Sequence, residues 1–225
     1  MKIQKLLSAL FIALTFLTFS ACNSSDDNQD MQYSNIVTFL GNTDGRASFT
    51  YQEMNDAQPV TIYSNTQVSG GDLKPGDRLL IIFSVPATTT SITNGTVVTL
   101  HQAVKVPTVT VQPGEVPTDF TSTPALYIQT LFRSGTWLNM QCLVPSTSTN
   151  ITFELIADRN TLDNADVQLY LVYKNSEVNN NIANAAYYVT FNIESVWNLA
   201  TCRSITVNTT NSNSGIEGAV TFRKN

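Results

Sequence analysis

The chain reads as an all-β protein of two domains, a small closed barrel followed by a β-sandwich. Three observations predict this. Charged residues are only 13% of the 225, against about 25% in an average soluble domain, while Thr (30) and Asn (22) fill the gap. Thr is β-branched and suits strands, and Asn suits turns, so this exchange favours many short strands with tight connections. Short β-branched and aromatic runs recur along the chain, bounded by Gly, Pro and Asn, with hardly a stretch of helical period. A Pro-rich segment, QPGEVPTDFTSTP, divides these runs into two groups.

Residues 1–21, MKIQKLLSALFIALTFLTFSA, have the three-part layout of a secretory signal. Lys2 and Lys5 precede an apolar run from Leu6 to Phe19, and small Ser20 and Ala21 stand before Cys22. The run falls short of the roughly 20 apolar residues that span a bilayer. Phe19-Ser20-Ala21-Cys22 resembles a bacterial lipobox, with Phe19 where Leu is more usual. Cys22 is then the lipidation site, and its several acyl chains make a firm anchor where a single chain binds marginally. Residues 22–34 read as an acidic, flexible tether. Its Asp26, Asp27 and Asp30 resemble the surface-export signal of lipoproteins from the Bacteroidota. Removing residues 1–21 leaves 10 basic and 17 acidic residues, a net charge of −7. Anionic head groups repel such a chain, so the lipid does the anchoring.

Residues 35–112 are assigned to the barrel. Ile36–Leu40, Ala47–Tyr51 and Val60–Tyr63 are short strands, Leu79–Val85 (LLIIFSV) is a continuous apolar run expected to be buried on both faces, and Thr96–Val106 and Val109–Val111 follow. Gly70-Gly71 and Pro75-Gly76 mark tight turns, and Asn94-Gly95 predicts a type I′ hairpin turn. Five or six strands in about 75 residues suit closure, which removes exposed edges.

Residues 113–124 are the Pro-rich linker, since Pro cannot donate to a sheet ladder. In residues 125–225 the candidate strands are Leu126–Phe132, Trp137–Val144, Ile151–Ile156, Val167–Tyr173, Tyr187–Ile193, Ile205–Val207 and Ala219–Phe222. Their spacing, with turns at intervals of roughly 8 to 12 residues, is that of a sandwich. Asn179-Asn180-Asn181 and Asn211–Gly215 read as loops.

The order of parts is similar to the NigD-like lipoproteins of the Bacteroidota. The resemblance rests on the lipoprotein signal, the acidic tether, LKPGDRLLIIFSV, and AAYYVTFNIESV followed by CRSITVNTT. It implies an OB-like barrel followed by an immunoglobulin-like β-sandwich. The family takes its name from bacteriocin immunity, which implies little about chemistry.

The composition excludes several function classes. Net charge −5 and pI near 4.7 argue against a nucleic-acid binder, which needs a basic face. One His and three Cys leave no metal cluster in prospect, and His101, among strand residues, reads as a structural or surface residue. There is no nucleophile elbow and no paired carboxylates, so no catalytic residues and no cofactor are assigned. With Cys22 lipidated, Cys142 and Cys202 are left either as a disulfide or as two buried thiols. Trp137, Trp197, Tyr127, Tyr187 and Tyr188 are aromatic residues that read first as core. Trp137 reads as interior, whereas Trp197, near a strand end, is the candidate for stacking a ligand. The expected function is a non-enzymatic lipoprotein at the outer membrane, facing the exterior, which binds a protein or glycan partner. Bacteriocin immunity and glycan binding are the alternatives.

Overall fold

In the computed structural model, residues 30–145, 151–175 and 184–224 are described. The Asn179-Asn180-Asn181 loop lies outside them. The first five strands are β1 (Met31–Thr43), β2 (Arg46–Tyr51), β3 (Val60–Ser64), β4 (Arg78–Val85) and β5 (Val97–Lys105). They close into a barrel in the order β1-β2-β3-β5-β4, with β4 returning to β1. All neighbours are antiparallel except β3 and β5, the arrangement of an OB-like barrel. Its core is aromatic and β-branched: Phe39, Phe49, Tyr51, Ile62 and Phe83 face inward with Val37, Leu79 and Ile81.

Alternation explains which residues those are. In β2, Ala47, Phe49 and Tyr51 point in, while Ser48 and Thr50 are only half-buried. In β4, Leu79, Ile81, Phe83 and Val85 are fully buried, but Leu80 and Ile82 are half-buried. The expectation that this run is buried on both faces therefore holds only in part. A closed barrel has one interior, and successive side chains point to opposite faces. The type I′ geometry predicted at Asn94-Gly95 occurs instead at Asp44-Gly45, where both residues have positive φ (51° and 80°) and β1 turns into β2. Residues 94 and 95 lie instead in the long loop between the antiparallel strands β4 and β5, and Asn94 lacks the positive φ that a type I′ turn needs. There the Asn94 side-chain oxygen accepts the Thr61 N–H at 2.9 Å.

The sandwich strands are β6 (Thr108–Thr110), β7 (Gln112–Gly114), β8 (Tyr127–Ser134), β9 (Trp137–Pro145), β10 (Ile151–Asp158), β11 (Asp166–Asn175), β12 (Asn184–Asn192), β13 (Ser204–Asn208) and β14 (Ala219–Arg223). One sheet runs β14-β13-β11-β10-β7 and the other β6-β12-β9-β8. Between them lies one core, from Ile128, Leu138, Met140 and Phe191 on one sheet to Leu155, Leu169, Ile205 and Val207 on the other. A short helix, α1 (Glu194–Trp197), follows β12.

Three sequence assignments move here. The strand around Val109 was placed in the barrel, yet β6 pairs with β12 of the sandwich. The start of the Pro-rich linker forms β7, in parallel with β10. Pro113 is accommodated because β7 is an edge strand, where a missing donor is tolerated. At the other end, β1 begins at Met31, so Met31–Ser34, read as tether, pair with Ile82–Val85 of β4.

Candidate functional site

Cys22, Asp26 and Asp27 lie outside the described residues, and Asp30 is exposed immediately before β1. Trp197 is not on the surface. It lies in α1 with 6% of its area exposed, under the Arg133 guanidinium at 4.1 Å and beside the Lys224 ammonium at 5.3 Å. Turning back after β12, α1 carries the ring over the sandwich core rather than out to solvent, which overturns its reading as a stacking platform. Trp137, read as interior, is half-buried, with the Arg78 guanidinium 4.9 Å from its ring centroid.

Cys142 and Cys202 are free, buried thiols. Each finds its own carbonyl, Tyr187 for Cys142 (3.7 Å) and Ser204 for Cys202 (3.4 Å). Burial pushes the Cys142 thiol up to about 12 and raises that of Cys202 too. His101 hydrogen-bonds Ser84 Oγ at 3.0 Å on the outside of the barrel. Tyr187 stacks on Phe153 (5.7 Å), Tyr188 is half-buried, and Tyr127 is exposed. Among the described residues, no three His, Cys, Asp or Glu gather as metal ligands.

Sequence reading missed two features. The first is the seam between the domains, which two buried arginines cross. Arg78, just after the Pro75-Gly76 turn, donates to Thr38 Oγ1 (2.7 Å), the Ile36 carbonyl (3.3 Å) and, in the sandwich, Asn139 Oδ1 (3.0 Å). Desolvation pulls its pKa down to about 10, which leaves it charged at neutral pH. Arg133, on β8, has a wholly buried side chain. It donates to the Gly135 carbonyl and to Asp56 Oδ1 of the barrel, both at 2.7 Å. The Nε of each arginine is buried without a hydrogen-bond partner among the described residues. The indole faces of Trp137 and Trp197 lie against the two guanidinium groups and offset part of that cost.

The same seam fixes the loop between β2 and β3. The Asn55 N–H donates to the Arg133 carbonyl (2.7 Å) and the Gly135 N–H to the Asn55 carbonyl (2.9 Å), a parallel bridge between the domains. Position 135 favours glycine, because its backbone is left-handed. Its φ is +57°, and an added Cβ would stand 2.5 Å from Gln52 Oε1.

The second feature is a cavity of about 420 Å³ at one mouth of the barrel. Three segments far apart in sequence line it: the start of β1 (Tyr33), the β2–β3 turn with its flanks (Tyr51, Glu53, Gln58, Val60), and the β4–β5 loop (Thr90, Ser91, Ile92). They converge because β1 starts, β2 ends, β3 starts and β4 ends at the same rim. Tyr33 stacks on Phe83 (5.5 Å, 18° between planes), and Tyr51 meets the same ring edge-on (6.3 Å, 88°). Burial first, then the nearby Glu53 carboxylate, push the Tyr51 phenol above its ordinary value. An isolated sequence signal for either feature is faint. Arg78 and Arg133 do stand beside apolar strand runs in a chain poor in charge, which is where a buried cation should be sought.

No protein-family model and no curated protein matches the sequence. Solved structures do share its fold. A protein of unknown function from Bacteroides vulgatus superposes with a TM-score of 0.64 at 14% identity, covering 86% of this chain and 90% of that one. A candidate lipoprotein from Bacteroides fragilis gives 0.58 at 12% identity, over 87% and 99%. A NigD-like immunity protein from Bacteroides caccae gives 0.53 at 16% identity, over 84% and 91%. Identities this low establish likeness of fold, and the coverage extends that likeness across both domains.

Proposed function

We propose that this chain is a non-enzymatic lipoprotein, anchored in the outer membrane through Cys22 and facing outward, which binds a partner through its barrel mouth. The observation that carries the binding role is the mouth itself, a concave site with polar groups from three segments on a rigid aromatic floor. Such pre-formed concavities are where small ligands and partner side chains are held. The anchor rests on the Leu6–Phe19 run, Ser20-Ala21-Cys22 and the fold shared with the Bacteroides fragilis candidate lipoprotein.

Replacing Cys22 with Ala removes the only thiol at the predicted cleavage point. The variant is expected in the soluble fraction, without palmitate label, while the unaltered chain fractionates with the outer membrane and is cut by protease added to intact cells. A Cys22→Ala protein that stays in the membrane fraction would rule out this anchor.

The likeness to a NigD-like immunity protein favours a second reading, in which the protein blocks a toxin at the surface. Deleting the gene should then raise sensitivity to producer strains. Unchanged sensitivity across such strains removes that reading.

A further inference from the structure

We infer that the barrel mouth binds a neutral saccharide, with Tyr33 and Tyr51 supplying the aromatic wall and Glu53, Gln58, Thr90 and Ser91 the hydrogen bonds. This rests on the binding role proposed above and names its ligand class. The donors and acceptors of the lining set that class. Two phenols, an amide, two hydroxyls and one carboxylate can each give or accept hydrogen bonds, and among the lining residues the only charge is Glu53. No lining cation is present to pair with a phosphate, sulfate or carboxylate ligand. The single carboxylate lines the same cavity as the Tyr51 ring, and as a bidentate acceptor it suits two neighbouring hydroxyls.

The apolar half of the lining has its own counterpart. Val60, Ile92 and the two tyrosine rings offer a surface for the C–H face of a sugar, whose edge carries the hydroxyls. At about 420 Å³ the cavity sits at the small end of the roughly 300–1,000 Å³ typical of ligand sites. A short stretch of saccharide fits there, and a folded peptide does not.

The site is also held in advance. Phe83 fixes both tyrosines, and the loop that carries Glu53 and Gln58 is pinned to the sandwich through Asn55 and through Asp56 on Arg133. Pre-positioned groups lose less freedom on binding, which matters most for a ligand recognised by many weak hydrogen bonds. At the far end of the barrel the β1–β2 loop is only two residues long.

Calorimetric titration of the detergent-solubilised full-length protein tests this. The probes are cello-, malto-, xylo-, manno- and chitohexaose, with oligolysine and inorganic phosphate beside them. At least one hexasaccharide should bind, and both Glu53→Gln and Gln58→Ala should weaken it fivefold or more. Both positions are exposed, so melting midpoints should not move. Tyr33→Ala should weaken binding further, and Tyr33→Phe should restore most of it. The inference is overturned by a flat titration against all five sugars at millimolar concentration, or by binding that survives both exposed substitutions. Glu53-dependent binding of oligolysine in place of sugar also overturns it, by making the mouth a site for a cationic chain. None of these outcomes bears on the Cys22 anchor, which fractionation tests separately.

Discussion

The barrel and the sandwich bury strands in opposite ways. The barrel closes on itself and leaves no sheet edge, but its interior is small: the buried core described comprises 12 residues, with Phe39, Phe49, Tyr51 and Phe83 filling the centre. The sandwich leaves edges at β14, β7, β6 and β8, and its described core of 22 residues is nearly twice as large. Closure removes a liability for association and limits the volume that can be packed. Two facing sheets hold more core, and here β12 and β10 are flanked by the short edge strands β6 and β7, drawn from the segment that joins the domains. The comparison teaches where each domain is fragile. The barrel depends on a few large rings, and the sandwich depends on keeping polar and titratable groups dry.

The largest expected effect tests the rings. Phe83 and Phe191 are both wholly buried, one in each core. Truncating either to Ala should cost about 3–5 kcal/mol. Phe83→Ala should also disorder the mouth, because Tyr33 and Tyr51 both pack on that ring. Scanning calorimetry with tyrosine side-chain NMR distinguishes the two variants. If Phe191→Ala perturbs Tyr33 and Tyr51 as strongly as Phe83→Ala does, the cores are not separate.

The seam comes next. Arg133→Met keeps apolar bulk on Trp197 but leaves the Gly135 carbonyl and Asp56 without their donor, for a loss of about 2–3 kcal/mol. Asp56→Asn keeps a hydrogen-bond acceptor, and Asp56 is 36% exposed, so about 1 kcal/mol is expected. A double-mutant cycle in urea should show the two coupled. Additive losses would mean that the pair does not join the domains.

Alkaline titration should separate the halves further. Between the ordinary thiol value of 9.0 and the Cys142 value of about 12, the folded sandwich keeps a proton that the unfolded chain has lost. Its stability is therefore fully present below about pH 9 and falls as pH rises toward 12. Cys202, Tyr173, Tyr187 and Tyr188 shift in the same direction, burial being the first cause of each. In the barrel only Tyr51 does so clearly, while Arg78, lowered from 12.5 to about 10, acts in the opposite sense above pH 10. The sandwich should thus melt first at high pH. At pH 8 neither thiol should react with iodoacetamide until the protein is unfolded. Rapid labelling of the native protein would show that the thiols are not held dry.

The smallest effect compares one exposed ion pair from each domain. Lys105–Asp77 (2.7 Å) and Lys174–Glu154 (2.8 Å) are both solvated at the lysine. Asp77 also accepts the Lys74 N–H at 2.8 Å, closing the Pro75-Gly76 turn. Its carboxyl is held below its ordinary value first by Lys105 and then by that backbone bond. Asp77→Asn should cost about 0.5–1 kcal/mol, and Glu154→Gln less than about 0.5. Chemical denaturation measures both, and equal losses would mean that the turn adds nothing to the Asp77 pair.

By itself the sequence determined the all-β class and most of the strands, because a period of two and Gly, Pro and Asn punctuation are local signals. Ala47–Tyr51 and Val167–Tyr173 alternate in the structure as they do in the text. What tertiary structure alone decided was partnership. Whether Val109 belongs to the barrel or to the sandwich depends on which edge accepts three hydrogen-bonded residues, and no local pattern encodes that choice. Trp197 reads as the surface candidate because it lies near a strand end, and it is buried with Arg133, 64 positions earlier, across its ring. The mouth joins Tyr33, Tyr51 and Ser91, residues that carry no common motif. They meet because β1, β2 and β4 have one rim in common, and a rim exists only once the barrel has closed.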